Sequence, residues 1–135
     1  MGSRRDFIKG TLVLAGAAAV GRAREVRAAE SCPAGLIYTL TAPGRWAGKE
    51  ALHAPQVTVD GAKVTIVTPH PMSPAHYIVK HTLLDATGKV LGEKTFANTD
   101  TEAKSVYQLP DGVRGDLCAA SFCNLHDLWI AQFTV

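Results

Sequence analysis

Cys123 and His126 stand three residues apart in the stretch FCNLHDLW, and His70 and His76 bracket HPMSPAH. A thiolate and an imidazole at this C-x2-H spacing can reach one ion from a single turn of chain. Neutral imidazole and thiolate are the donors suited to iron, zinc and copper. A further loop histidine, His53, lies in ALHAP. Pro55, Pro69, Pro71 and Pro74 stiffen the chain around His53, His70 and His76, which limits the entropy lost in assembling a coordination sphere. A C-x2-H pair alone arises by chance, whereas four histidines with one cysteine are more specific. The fifth histidine, His81, sits in a strand pattern five residues beyond His76. That odd spacing predicts the opposite face and a surface or hydrogen-bonded core role. Met72, Trp46 and Trp129 read as packing residues.

The elements that must position these groups read as strands. QVTV and AKVTIV alternate on either side of Asp60-Gly61, a hairpin signal in which both turn residues are expected at positive φ. GLIYTLT, HYIVKHTLLD, KVLGEKTF, EAKSVYQL, DLCAASF and LWIAQFTV complete the set, with turn chemistry at ATG and PDGVRG. Past the first 28 residues no segment keeps a helical period. The pattern predicts an all-β antiparallel sandwich of about seven strands. The longest irregular stretch, Thr41 to Pro55, has the length of a functional loop.

The N-terminus carries a different kind of signal. SRRDFIK places twin arginines before GTLVLAGAAAVG, an apolar run shorter than the roughly 20 residues a membrane-spanning helix needs. Val26 and Ala28 follow as small residues ahead of a cleavage point. The stretch resembles a twin-arginine (Tat) export signal. It predicts a signal over 1–28, one domain over 29–135, a periplasmic location and no membrane association after cleavage. Tat substrates cross the membrane folded, so the domain can load a metal first. Six of the 14 basic residues and two of the 12 acidic ones lie in 1–28, leaving eight basic and ten acidic. The basic balance therefore belongs to the signal and gives no ground for nucleic-acid binding.

HPMSPAHYI (His70–Ile78) together with CNLHDLW (Cys123–Trp129), preceded by HAP at His53, resembles superoxide reductase of the desulfoferrodoxin/neelaredoxin type. The resemblance covers roughly residues 35–135. It implies an immunoglobulin-like β-sandwich and one mononuclear iron cycling between Fe2+ and Fe3+. His53, His70, His76 and His126 would be equatorial ligands and Cys123 the axial thiolate. It implies reduction of superoxide to hydrogen peroxide, a periplasmic one-electron donor as partner and a homo-oligomeric family. Asn124 and backbone N–H groups near Cys123 are candidates to tune the sulfur. Only Cys32 precedes the sandwich, so a second, four-cysteine iron centre found in some members is not expected.

One departure stands out. The family pattern has glutamate and lysine directly before the first histidine, whereas Ala51 and Leu52 occupy those places here. Lys49 and Glu50, two residues earlier, are the candidate catalytic residues on a re-routed loop. Without that positive group, the alternative is a non-catalytic iron- or zinc-binding or electron-transfer module on the same fold. A closed tetrahedral zinc site would leave one histidine spare. Cys32 and Cys118 either pair as a disulfide, or Cys118 is buried and free while Cys32 links two subunits.

Overall fold

Gln56–Asp60 (β2) and Lys63–Thr68 (β3) form the expected hairpin, paired antiparallel from Gln56↔Val67 to Asp60↔Lys63. The turn is the pair Gly61-Ala62. Gly61 alone takes positive φ, 59°, while Asp60 ends the strand in ordinary extended backbone. A tight hairpin with glycine at its first central position needs only that one left-handed residue.

A computed structural model describes residues 35–135 of the chain; the expected signal 1–28 and Cys32 lie outside the described residues. Two sheets face each other. The larger holds β1 (Ile37–Tyr38), β8 (Asp127–Thr134), β7 (Asp116–Cys123), β4 (Ile78–Asp85) and β5 (Val90–Thr95), in that order. The smaller holds β2, β3 and β6 (Ala103–Gln108). All pairs are antiparallel except the two-residue β1, which runs parallel to β8. β1 is much shorter than the GLIYTLT pattern suggests. The backbone bends away after Tyr38, where Thr39 and Ala42 exchange two N–H···O=C bonds of 3.2 Å. The sandwich is otherwise the predicted class, with eight strands among the described residues.

The long loop contains two elements too brief to leave a period in the sequence. Gly44–Trp46 forms a single 3-10 turn, and Glu50–His53 (α1) a single α-helical turn. Among the described residues, no helix is long and apolar enough to cross a membrane.

The main core is Val64, Ile66, Leu83, Leu109, Leu117 and Ala119 between the sheets. A second cluster, Ile78, Phe96, Ala103 and Cys123 with Met72 against it, lies toward one end. A third joins Tyr38, Ala54 and Trp129, with Trp46 packed on it. Met72 and Trp129 thus have the packing roles read from the sequence. β4 carries a bulge: Ile78 faces Cys123 but Lys80 faces Phe122, so Val79 is an extra residue. The bulge resets the strand's alternation, as such insertions do. His81 therefore points into the core, fully buried, as a hydrogen-bonded core histidine.

Candidate metal centre

Three separate stretches of chain converge at the end of the sandwich that carries the second and third clusters. His53 ends α1, His70 and His76 lie on the loop between β3 and β4, Cys123 ends β7, and His126 sits in the turn to β8. Their ligand-type atoms all lie within 4.8 Å of one another. His53 Nε2 is 3.0 Å from His126 Nδ1, His126 Nδ1 is 3.0 Å from His76 Nε2, and His76 Nε2 is 3.0 Å from His70 Nε2. Cys123 Sγ approaches His76 Nε2 at 3.3 Å and His126 Nδ1 at 3.6 Å. Hydrogen bonding among these atoms does not account for the arrangement. A ring nitrogen has one in-plane direction, yet His126 Nδ1 faces two imidazole nitrogens and a sulfur at once. A common ion does account for it. Three successive nitrogen separations of 3.0 Å match the edges of a square whose centre lies about 2.1 Å from each corner, the usual length of an imidazole–metal bond.

Local structure explains how each group is held. α1 turns His53 inward, and its Nδ1–H donates to the Lys49 carbonyl at 2.8 Å, leaving Nε2 toward the cluster. A second hydrogen bond of this kind fixes the tautomer and orientation of ligating histidines. The His53 ring lies 5.6 Å from the Trp129 ring. The Trp129 indole N–H donates to the His126 carbonyl at 2.8 Å. Trp46 meets His126 edge-on, with ring centroids 4.7 Å apart at 90°. Both tryptophans therefore wall the imidazoles as well as pack, which their composition-level reading missed.

The turn carrying His126 is pinned from two sides. Asn124 accepts the Tyr77 N–H at 3.1 Å and donates to the Ala75 carbonyl at 3.0 Å. Its side chain thus staples the C-N-L-H turn to the His76 loop and does not address the sulfur. The groups that do are the backbone N–H of Leu125 and His126, which draw the Cys123 thiol toward its charged form. Burial works more strongly in the other direction and pushes this thiol up overall. Burial likewise pushes His70 down to about 4, helped by the charges of His53 and His76, and lowers His53 and His126. These imidazoles are held neutral, which is the form that donates to a metal. A cation among them would reverse the trend at Cys123 and hold it as thiolate.

Lys49 and Glu50 part company. The exposed Lys49 ammonium is close enough that its charge disfavours protonation of both His53 and His126. The Glu50 carboxylate turns back to accept the Gly48 N–H at 2.6 Å and lines a cavity of about 610 Å³ with Ala51, Ala54, Gln56 and Ile130. That cavity lies against β8 and contains none of the five donor residues. Ala51 and Leu52 are exposed. Cys118 is half-buried and has no disulfide partner among the described residues.

A two-sheet sandwich with one five-donor His/Cys group at its end defines a class of metal-binding β-proteins. The desulfoferrodoxin family model matches residues 46–132, and the chain belongs to that family. A second model, for the twin-arginine translocation pathway signal sequence, matches residues 3–21. A superoxide reductase of Thermococcus kodakarensis is 29% identical over 106 residues, covering 68% of this chain and 92% of the relative. Among solved structures, superoxide reductase (neelaredoxin) from Ignicoccus hospitalis is 28% identical with a TM-score of 0.57, covering 74% of this chain and 94% of its own. The superoxide reductase from Treponema pallidum is 28% identical with a TM-score of 0.52, covering 63% and 69%.

Proposed function

We propose that the chain is a superoxide reductase, exported through the Tat pathway to the periplasm and working there as the domain 29–135. The convergence of His53, His70, His76, His126 and Cys123 within 4.8 Å carries this reading. Family membership and the relatives' shared activity support it. The net reaction takes superoxide, one electron and two protons to hydrogen peroxide, the electron coming ultimately from a periplasmic one-electron donor.

Iron is the metal this reading assigns, and when bound it supplies the single electron through its Fe2+/Fe3+ couple. The four imidazoles would hold it through the nitrogens that face one another. Cys123 would add a thiolate, whose charge the Leu125 and His126 N–H groups moderate. His53 is kept in one tautomer by the Lys49 carbonyl. The Lys49 ammonium adds a positive potential over His53 and His126 that draws an anionic substrate. Glu50 acts at one remove, fixing the turn ahead of α1 through the Gly48 N–H.

Rapid mixing of the iron-loaded, reduced protein with superoxide tests the reading. Oxidation far faster than in aerated buffer is expected, with growth of a visible sulfur-to-ferric band. A colourless protein isolated with stoichiometric zinc, or oxidation no faster than in air, would sink it.

A further inference from the structure

Two strands change character in the same way as they approach the donor group. Along β3 the inward positions run Val64, Ile66, Thr68 and then, just past the strand, His70; along β7 they run Leu117, Ala119, Ser121 and Cys123. The period of two puts each series on one face. Each therefore passes from hydrocarbon through one buried hydroxyl to one donor. The hydroxyls meet: Thr68 Oγ1 is 2.7 Å from Ser121 Oγ and 2.9 Å from His81 Nε2, and His81 Nδ1 is 2.8 Å from Ser105 Oγ. The four residues belong to β3, β7, β4 and β6, so the bonds cross from one sheet to the other. All four side chains are buried.

Such a layer is a poor way to gain stability. A satisfied buried polar set gains little over well-packed apolar side chains, and is costly when half-satisfied. Its bonds are directional, however, and fix the spacing of the sheets where apolar contacts allow sliding. His70 has particular need of this. Its Nδ1 is buried and makes no hydrogen bond of ordinary geometry, so it lacks a partner as well placed as the Lys49 carbonyl is for His53. What ties His70 down is its backbone N–H, which donates to the Thr68 carbonyl at 2.7 Å.

We propose that Thr68, Ser121 and His81 are positioning residues whose hydrogen-bonded layer sets the distance between the His70 imidazole and the Cys123 sulfur across the two sheets. The proposal rests on the metal-centre reading above. It is tested with cobalt(II) as the probe, by chelator competition for affinity and by the sulfur-to-cobalt absorption band, with thermal melting of the metal-free chain alongside. Thr68→Val removes the hydroxyl at nearly constant shape and is expected to weaken cobalt binding by roughly 10–100-fold and to shift the band. Thr68→Ser keeps the hydroxyl and is expected to restore both. Ser121→Ala gives a second route should Thr68→Val fail to fold. Wild-type affinity and an unmoved band in Thr68→Val or Ser121→Ala, with only the melting temperature lowered, would overturn the layer's positioning role. A wild-type chain that takes up no cobalt would instead overturn the metal-centre reading on which it rests.

Discussion

The Trp46 indole N–H donates to the Asp127 carboxylate at 3.0 Å, and the same ring presses edge-on against His126, the residue before Asp127. Asp127 makes this possible by adopting φ of 64°, alone among the described non-glycine residues. The left-handed turn aims its carboxylate back at the long loop, where it also accepts a hydrogen bond from Arg45, whose guanidinium lies over the Trp46 ring. The loop carrying Lys49 and His53 is thereby latched to the turn carrying His126. Asp127→Ala loses the charged hydrogen-bond acceptor and puts an ill-suited residue in the left-handed region, and about 2 kcal/mol of stability is expected to go with them. Asp127→Asn keeps an acceptor for Trp46 and a residue tolerant of positive φ, so about half that loss is expected. Urea denaturation of the metal-loaded protein measures both. Equal losses would place the contribution in the exposed Arg45 pair, where little is expected.

Replacement of Cys123 separates the sulfur from the imidazoles. Cys123→Ser is expected to abolish the visible charge-transfer band of the oxidised protein while the four histidines still retain some metal. Metal analysis with an absorption spectrum decides it, and a persisting band would remove Cys123 from the ligand set.

Lys49 offers an unusually clean substitution, because its carbonyl orients His53 while its side chain is exposed. Lys49→Ala leaves the carbonyl in place. Iron content and band position are therefore expected to stay unchanged, while the second-order rate with superoxide falls about tenfold or more and loses part of its ionic-strength dependence. Stopped-flow measurement at low and high salt reads this out, and an unaltered rate would exclude Lys49 from steering.

His81 confers a pH dependence whose sign is fixed. Burial, and then the nearby Lys94 charge, lower it from 6.5 to about 4 in the folded chain. Between those values the unfolded chain takes up a proton that the folded chain refuses, so stability is full above pH 6.5 and declines on acidification. For this group the decline amounts to about 3 kcal/mol by pH 4, below which it levels off. His53, His70 and His126 act in the same direction, so the comparison must be internal. His81→Gln, which bonds without titrating here, is expected to show a denaturation midpoint that falls less steeply between pH 6.5 and 4. Parallel slopes for the two proteins would count against a neutral His81.

The donor set was legible because imidazole and thiolate chemistry is carried by residue type, and because proline-stiffened loops and the C-x2-H spacing mark where it gathers. The strands were legible from alternation, as at Val64, Ile66 and Thr68. What escaped depended on single-residue insertions and short turns. Val79 re-phases β4 and brings His81 inward, and no alternation rule contains an extra residue. α1 is one turn long, so Glu50–His53 shows no helical period, and with it went the divergence of Lys49 from Glu50. Asn124 sits beside the sulfur in sequence, but its amide found better partners at Tyr77 and Ala75.

The placement of Cys123 at the floor of the site has a bearing on endurance. Its sulfur belongs to the cluster of Ile78, Phe96 and Ala103 and is wholly shielded, whereas His76 and His126 are only half-buried. Solvent and anything dissolved in it reach the donor set past nitrogen edges. Thiolate is the donor most readily carried up the ladder to sulfenic and sulfinic acid, and access is half of that susceptibility. On the proposed function, peroxide formed on the imidazole side would leave away from the donor it oxidises most readily, and the lifetime of the catalyst would be built into which way the sandwich faces.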